Sequence, residues 1–583
     1  MKKTQLISMI VILAAFLASC ESDYLDKMAE SDGYSTEDVF TDSVNFKNFN
    51  DKLVVTPMLK RHRNDTRPLG DFDDVSDNSI SGADWSGVPS VLAATGDFYG
   101  LRTADAAVMS NVATWSRIWT QIRVANVCIQ NIDLYPGSES SRNRILGTSY
   151  FFRGYAYFEL TRRWGGMPYL YRPLKADENM DLPRLSYQET MLLAAADLDS
   201  AAMYLEPVIP ETDWGRPTGV AALAFKAKAL VYAASEFATM QEGAQRDLWD
   251  DAALAADEAI RVAENNGYAL ASMGQYYYIF KENEEEVYTK EILFGRRYQH
   301  DWGSNSYKQR YRPPGQLSGQ YATAPNQTLV DCFEMKATGL PITDPASGYK
   351  PQNPYTGRDP RFAESIICNQ QTIMGKKLQI YDRDETKNPA TLGSTDLVYA
   401  NGQVSMGFTK TGYYNNKWMG RTFNTGLDMH YPEIRLSEVY LLFSEAANEA
   451  WNAPSERNSS CKYTAEEALN TVRARAQMPG VASKFLTKEA FRERVRNERR
   501  VELCFEDNRL FDIRRWHIAH LPENRDIWKM EIAKVPVSVD YPMGFRYTPR
   551  IYKQRVFEEK HYLFVIKLDD TNIGPNFKQN PGW

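Results

Sequence analysis

Residues 215–235 read GRPTGVAALAFKAKALVYAAS. From Gly219 onward small and apolar residues follow one another almost without interruption, which predicts a helix from Gly219 to Phe237. A second helix is predicted from Leu248 to Glu264. It carries Leu248, Ala252, Ala255, Ala256, Ala259, Val262 and Ala263 on one stripe and ends at Asn265-Asn266-Gly267. The alanines are the informative residues. Small side chains let antiparallel helices approach closely, which is what tetratricopeptide-like hairpins require.

The same periodicity extends outward in both directions. Upstream, Trp115, Trp119, Ile122, Asn126, Ile129 and Ile132 recur three or four apart. A further helix is predicted from about Arg144 to Arg163, with Leu146, Tyr150, Tyr157 and Leu160 on one face, stopping at Trp164-Gly165-Gly166 ahead of Pro168. Downstream, Leu436 to Trp451 shows an apolar stripe, and Thr464 with Glu467 forms a capping box for a helix from Ala465 to Gln477. A last helix is predicted from about Lys488 toward Trp516. Between these blocks, from about 276 to 431, the chain is rich in Gly, Pro, Asn and Tyr without sustained periodicity. Loops on a rigid helical frame are where binding sites usually lie. The stripes assign Trp115, Trp119, Trp164, Trp451 and Trp516 to packing.

The N-terminus has a different character. Lys2 and Lys3 precede the apolar run Leu6 to Ala18, the pattern of an export leader, and thirteen residues fall short of the roughly 20 that span a bilayer. Leu17, Ala18 and Ser19 precede Cys20, so the stretch resembles a bacterial lipobox. Residues 1–19 are then a lipoprotein signal peptide and Cys20 the lipidated first residue. Removing Lys2 and Lys3 takes the net charge from −7 to −9, and no basic block is present to receive nucleic acid. Cys128, Cys332, Cys368, Cys461 and Cys504 are odd in number and far apart. They suggest buried small hydrophobes, not a zinc site or a disulfide framework.

Few residues qualify for chemistry. Glu498 and Glu502, in NERRVEL, stand one helical turn apart, as a glycosidase pair might, but Arg494, Arg496, Arg499 and Arg500 crowd them. Such cations depress a carboxyl pKa and remove the proton a general acid must hold, so these residues read as structural Glu/Arg pairs that lock the last helix to its neighbours. His517 and His520 lack a third ligand at a helical interval. Asp71, Asp73, Asp74, Asp77 and Asn78 offer hard oxygen donors without the EF-hand glycine, which leaves a bound calcium open while no cofactor is expected. There is no HExxH, Walker loop, GxSxG or GxGxxG motif.

Sugar binding needs no catalytic group. An aromatic face accepts the C–H side of a pyranose while Asp, Asn, Gln and Arg bond its hydroxyls. Two stretches combine these types. DFDDVSDNSISGADWSG at 71–87 offers Asp77, Asn78 and Trp85, and RRYQHDWGSNSYKQRYR at 296–312 offers Tyr298, Trp302, Asn305, Tyr307 and Tyr311.

Several segments together resemble the SusD/RagB family. After Cys20 come Tyr24-Leu25-Asp26, the Trp115/Trp119/Asn126 helix, YFFRGYAYFELTRRWGGMPYL at 150–170 and the stretch at 215–235. RLSEVYLLFSEAANEA at 435–450, RNERRVELCFEDNRLFDIRRW at 496–516 and QNPGW at 579–583 follow in the family's order. The resemblance implies a mainly α fold of about four tetratricopeptide-like helix pairs in a superhelical scaffold, joined to an irregular, loop-rich ligand-binding half. The first part spans 20–275 and the second 276–583, with the insertion at 276–431, in one intertwined unit. It further implies an outer-membrane, lipid-anchored protein facing the cell exterior, which captures glycan and delivers it to a SusC-like TonB-dependent transporter. Glu21-Ser22-Asp23 is similar to the family's surface-export signal. Peptide capture is the alternative within the family, a surface glycosidase the rival of another class, and a purely structural partner of the transporter a third reading.

Overall fold

The computed structural model describes residues 36–55, 72–84, 88–98, 112–175, 177–241, 243, 247–280, 290–298, 312–319, 323–419 and 429–583. Its long helices are α1 (Ser43–Val55), α2 (Val112–Gln130), α3 (Glu139–Trp164), α4 (Tyr187–Tyr204), α5 (Gly219–Ala234), α6 (Trp249–Asn265), α7 (Leu436–Ala450), α8 (Ala465–Arg475) and α9 (Lys488–Glu502), followed by the short α10 (Arg509–Arg515). Each helix from α2 to α7 packs on the next in the series, and α8 and α9 both pack on α7. In order, α2 to α9 make four helix pairs in a tetratricopeptide-like stack. The stack steps from residue 265 straight to residue 436, so the loop-rich segment is spliced between two neighbouring helices of one scaffold.

The residues of the opening stretch explain why the stack is tight. Every residue of α5 except Lys226 is buried, the condition of a helix apolar all round with neighbours on every side. Lys228, within it, is fully buried against Glu438 of α7 at 2.7 Å and Asn508 at 3.1 Å. One turn of α3 passes so close to α4 that a Cβ at Gly154 would lie 2.8 Å from the carbonyl oxygen of Ala194. Glycine is therefore required there by the approach of a neighbouring backbone. Beside it, Arg153 grips Asp197 of α4 through two bonds of 2.6 and 2.7 Å and reaches Asn126 of α2 at 2.7 Å, joining three helices.

Two expectations require correction. The sequence pattern predicts no helix between 166 and 218, yet α4 occupies Tyr187–Tyr204, opened by a capping box in which Ser186 and Glu189 bond one another's backbone N–H. The continuous helix expected from Lys488 toward Trp516 is broken. α9 ends at Glu502, Phe505 and Asp507 adopt φ of +63° and +60°, and α10 begins at Arg509. The break turns Glu506 and Asp507 inward, where Arg435 and Lys417 bind the first and Tyr431 the second. The predicted capping box at Thr464 and Glu467 forms as expected.

The spliced half carries a second core around Tyr276, Phe280, Phe362, Tyr413, Tyr414 and Trp418. The strands that frame it, from this half and from flanking segments, include β1 (Ser79–Ser81), β2 (Ile292–Tyr298), β3 (Thr323–Pro325), β4 (Arg383–Asp384), β5 (Thr391–Leu392), β6 (Met429–Arg435), β7 (Ile527–Lys534) and β8 (Phe545–Lys553). β8, β7, β4 and β5 form one sheet in that order, while β6 pairs antiparallel with β2. The α9 segment joins the cores, since Phe491 and Val495 enter the helical one and Val501, Cys504 and Phe505 the other. Among the described residues no helix is long and apolar enough to cross a membrane.

Candidate functional site

The acidic stretch at 72–78 folds inward because cations meet it from the far end of the chain. Arg509 holds Asp77 through two bonds of 2.8 and 2.7 Å, and Arg500 lies 3.0 Å from the same carboxylate. Burial alone would raise the Asp77 carboxyl, but Arg500 and Arg509 outweigh it and hold it below the ordinary range. Asn78 receives Arg500 Nε at 2.9 Å and donates to Asp73 at 2.6 Å. The Arg555 guanidinium, buried, donates to the carbonyls of Asp74, Val75, Ser76 and Ser79 and so clamps the whole turn. Asp77 and Asn78 are wholly buried, which makes them fold residues and corrects the expectation that they face a ligand.

The clamped turn delivers β1, and β1 pairs antiparallel with β3, Ser81 opposite Thr323. This pairing seats the 71–87 stretch, through β1, against residues 323–325. Asn326 fixes the junction by donating to the carbonyls of Asp77 and Asp526 and accepting from the N–H of Trp528.

Just past β1 stands a polar shelf. Asp84 is half exposed, and Lys410 reaches it at 3.1 Å while also donating to the Val404 carbonyl at 3.1 Å. Gly407 N–H bonds the Gly82 carbonyl at 3.0 Å, which brings exposed Met406 alongside. Tyr552, on β8, is 41 % exposed, and its phenol is pushed up by partial burial and by the nearby Asp84 carboxylate. Here a half-exposed carboxylate that can accept from hydroxyls, fixed by the buried Lys410 ammonium, lies near a ring with an open side. Asp84 immediately precedes Trp85 in the sequence, but Lys410 and Tyr552 are hundreds of residues away and carried no local sign of this role.

Cys20, Trp85, Trp302, Asn305, Tyr307 and Tyr311 lie outside the described residues, and of Tyr298 only the backbone is described, at the end of β2 opposite Met429. The tryptophans assigned to packing behave accordingly. Trp164, Trp451 and Trp516 are buried, and Trp115 and Trp119 pack partly buried against the helical core. Cys128, Cys332, Cys368, Cys461 and Cys504 form no disulfides, and four of them are buried.

The glutamates of NERRVEL are ion-pair centres. Glu498 meets Arg361 and, at 3.0 Å, Arg473. Glu502 meets Arg361 at 2.9 Å, Arg435 at 3.1 Å and Arg475. As expected, these pairs lock the last helix to its neighbours, through arginines of other segments. Arg494, Arg496, Arg499 and Arg500 instead serve Glu334, Glu493, Asp512 and Asp77. Burial would raise the Glu502 carboxyl, but Arg475, Arg435, Arg361 and Lys417 hold it far below the ordinary range. Elsewhere a cleft of about 620 Å³ between α6, α7 and α9 contains Glu445 and Glu449. Burial would raise Glu445 too, yet Arg515 and Arg499 keep it low, and Arg492 binds Glu449 through two bonds of 2.6 Å. Both pairs are committed to guanidinium partners, an arrangement that opposes general acid work. His517 Nε2 is engaged by Glu559 at 2.8 Å and His520 Nδ1 by Tyr562 at 2.6 Å. Among the described residues no group of three or more His, Cys, Asp or Glu is arranged to hold a metal.

Comparison with known proteins adds the following. Residues 290–583 match the family described as SusD, and residues 23–231 match one described as starch-binding, associating with the outer membrane. SusD-like protein P2 of Formosa agariphila is 26% identical over 416 residues, covering 70% of this chain and 72% of that one. SusD-like protein P25 of the same organism is 24% identical over 433 residues, covering 71% and 72%. Among solved structures, a SusD-like protein of Bacteroides fragilis superposes with a TM-score of 0.70 at 22% identity, covering 96% of this chain and 99% of its own. A SusD-like carbohydrate-binding protein of that organism gives 0.70 at 22%, covering 93% and 100%.

Proposed function

The chain belongs to the SusD family, and from that premise we propose that it is a glycan-binding lipoprotein of the outer membrane, which passes oligosaccharide unchanged to a SusC-like TonB-dependent transporter. Lipidation at Cys20 would tether it, with the binding half turned to the cell exterior. The observation that carries the reading is the shelf just past β1, where the half-exposed Asp84 carboxylate, held by Lys410, lies near the Tyr552 ring. A ring supplies a flat apolar face and Asp84, held in place by Lys410, an acceptor for hydroxyls, so a pyranose can be held without a reacting group. The carboxylates that could imitate a glycosidase are locked to arginines, which supports capture without hydrolysis. The likeness in fold to a SusD-like carbohydrate-binding protein of Bacteroides fragilis supports the same ligand class.

Each ring contact contributes roughly 1 kcal/mol beyond the area it buries, so a few contacts together with that burial give weak binding, on the order of millimolar to micromolar. Such binding suits a protein that must surrender its catch. The test is calorimetry of the mature chain against a panel of neutral and acidic glycans and of peptides. At least one glycan is expected to bind, with affinity falling about tenfold in Asp84→Ala and in Tyr552→Ala. Binding of peptides alone would replace the ligand class, and release of shortened product from any glycan would make the protein an enzyme.

A further inference from the structure

We propose that Tyr150, Tyr171 and Tyr204 form a second saccharide-binding platform, set on the helical stack, which takes the apolar face of a neutral glycan. Its ligand class rests on the glycan-binding reading above, and it shares no residue with the shelf beside Asp84.

The three rings come from α3, from the segment that follows it and from the end of α4. Arg153, buried and fixed by Asp197 and Asn126, brings them together. Its guanidinium lies 5.3 Å from the centre of the Tyr150 ring and 5.5 Å from that of Tyr171, so both rings lie against it. Tyr204 continues the row, its ring 5.9 Å from that of Tyr150 with the planes only 6° apart. Tyr171 is 59 % exposed and Tyr204 37 %, while Tyr150 is half-buried. Among the described residues no hydrogen bond reaches the three phenol oxygens, which leaves them available to sugar hydroxyls. A single exposed apolar side chain needs no explanation, but rings set in a row mark a binding surface.

The platform is built before a ligand arrives. Tyr157 donates to the Pro168 carbonyl at 3.2 Å and accepts from the Leu170 N–H at 2.7 Å, and Asn126 donates to the Leu170 carbonyl at 2.8 Å. These bonds hold the backbone just ahead of Tyr171. Tyr169, beside it, stacks on Tyr157 at 3.8 Å and donates to Asp197 at 2.5 Å. Rings fixed in this way bind the C–H side of a pyranose at little entropic cost. The cations nearby are matched, Arg153 by Asp197 and exposed Arg172 by Glu178 through bonds of 2.8 and 2.9 Å. Matched guanidiniums give a sulfate or uronate little advantage over a neutral sugar.

The test is affinity electrophoresis of the mature chain through gels containing soluble starch, xylan, galactomannan or polygalacturonate, with Asp84→Ala as the starting variant so that the shelf is weakened. Thermal melting checks that every variant folds. Asp84→Ala is expected to keep part of the retardation by at least one of the three neutral polymers. Adding Tyr171→Ala or Tyr204→Ala is expected to weaken what remains about tenfold, and Tyr171→Trp, which keeps a flat ring, to preserve it. Folded Asp84→Ala/Tyr171→Ala/Tyr204→Ala retarded as strongly as Asp84→Ala would overturn the platform and leave glycan capture at the shelf standing. Complete loss of retardation in Asp84→Ala alone would overturn it as well. A wild type retarded by none of the polymers fails both readings, and retardation by polygalacturonate alone contradicts the neutral class. If Tyr171→Ala abolishes binding of a peptide from the calorimetric panel and leaves glycan retardation unchanged, the rings dock protein and the proposal falls.

Discussion

Glu502 has no access to solvent and three guanidiniums around it, contributed by Arg361, Arg435 and Arg475. Removing one charge from such a cluster leaves the others buried and uncompensated, so Glu502→Gln is expected to cost about 3–5 kcal/mol in urea unfolding. The folded carboxyl lies below its unfolded value. Its contribution is therefore present above about pH 4.3 and lost as the pH falls through the folded value. Asp73 behaves oppositely. Burial and the neighbouring Asp507 push its carboxyl up to about 7, against two hydrogen bonds that favour the charged form. A raised carboxyl contributes stability below its unfolded pKa and loses it as the pH rises toward 7. Melting temperature is thus expected to peak near about pH 5 and to decline toward pH 8. Asp507→Asn should flatten that decline, since it removes the repulsion and asparagine tolerates the φ of +60° at this position. An unchanged slope in that variant would show that Asp507 does not govern Asp73.

At the scale of elements, helix ends and helix contacts carry separable energies. Ser186→Ala removes one half of the α4 capping box and should cost about 1 kcal/mol, and Thr464→Ala should do the same at α8. Gly154→Ala forces α3 away from the Ala194 carbonyl and should cost about 1–3 kcal/mol, more than an alanine normally contributes within a helix. Calorimetric melting of the single variants would rank them, and a stabilised Gly154→Ala would contradict the close approach. The Ser186-x-x-Glu189 signature of α4 was present in the sequence. Its apolar stripe was blurred because Gln188, Thr190 and Asp197 are among the residues α4 buries against its neighbours. The stop after Glu502 had no sequence sign at all, since no Gly or Pro lies between Glu502 and Arg509. Contacts from residues 73, 417, 431 and 435 impose it.

For the whole molecule, the arrangement couples a rigid stack to a loop-rich half through one helix. α9 sends apolar residues into both cores and its glutamates to arginines of the loops and of α8, so the halves should unfold in one transition. Differential scanning calorimetry showing two well-separated transitions would contradict that coupling. The proposed lipid anchor is a property of the entire chain as well. With no membrane-crossing helix among the described residues, Cys20→Ala is expected to move the protein from the membrane to the soluble fraction, and its persistence in membranes would require another anchor.

The sequence by itself determined the helical scaffold apart from α4 and the break after Glu502, its alanine-lined contacts and the packing role of the motif tryptophans, and it assigned Glu498 and Glu502 to ion pairs. The helices and the tryptophans follow from local periodicity, whereas the arginines that neutralise Glu498 and Glu502 come from other segments. Tertiary structure alone decided that Asp77 and Asn78 turn inward, which arginines neutralise which glutamates, and that Asp84 meets Lys410 and Tyr552. These depend on pairing between segments up to hundreds of residues apart, where desolvation and geometry choose among many equally charged candidates, and no local pattern records the choice.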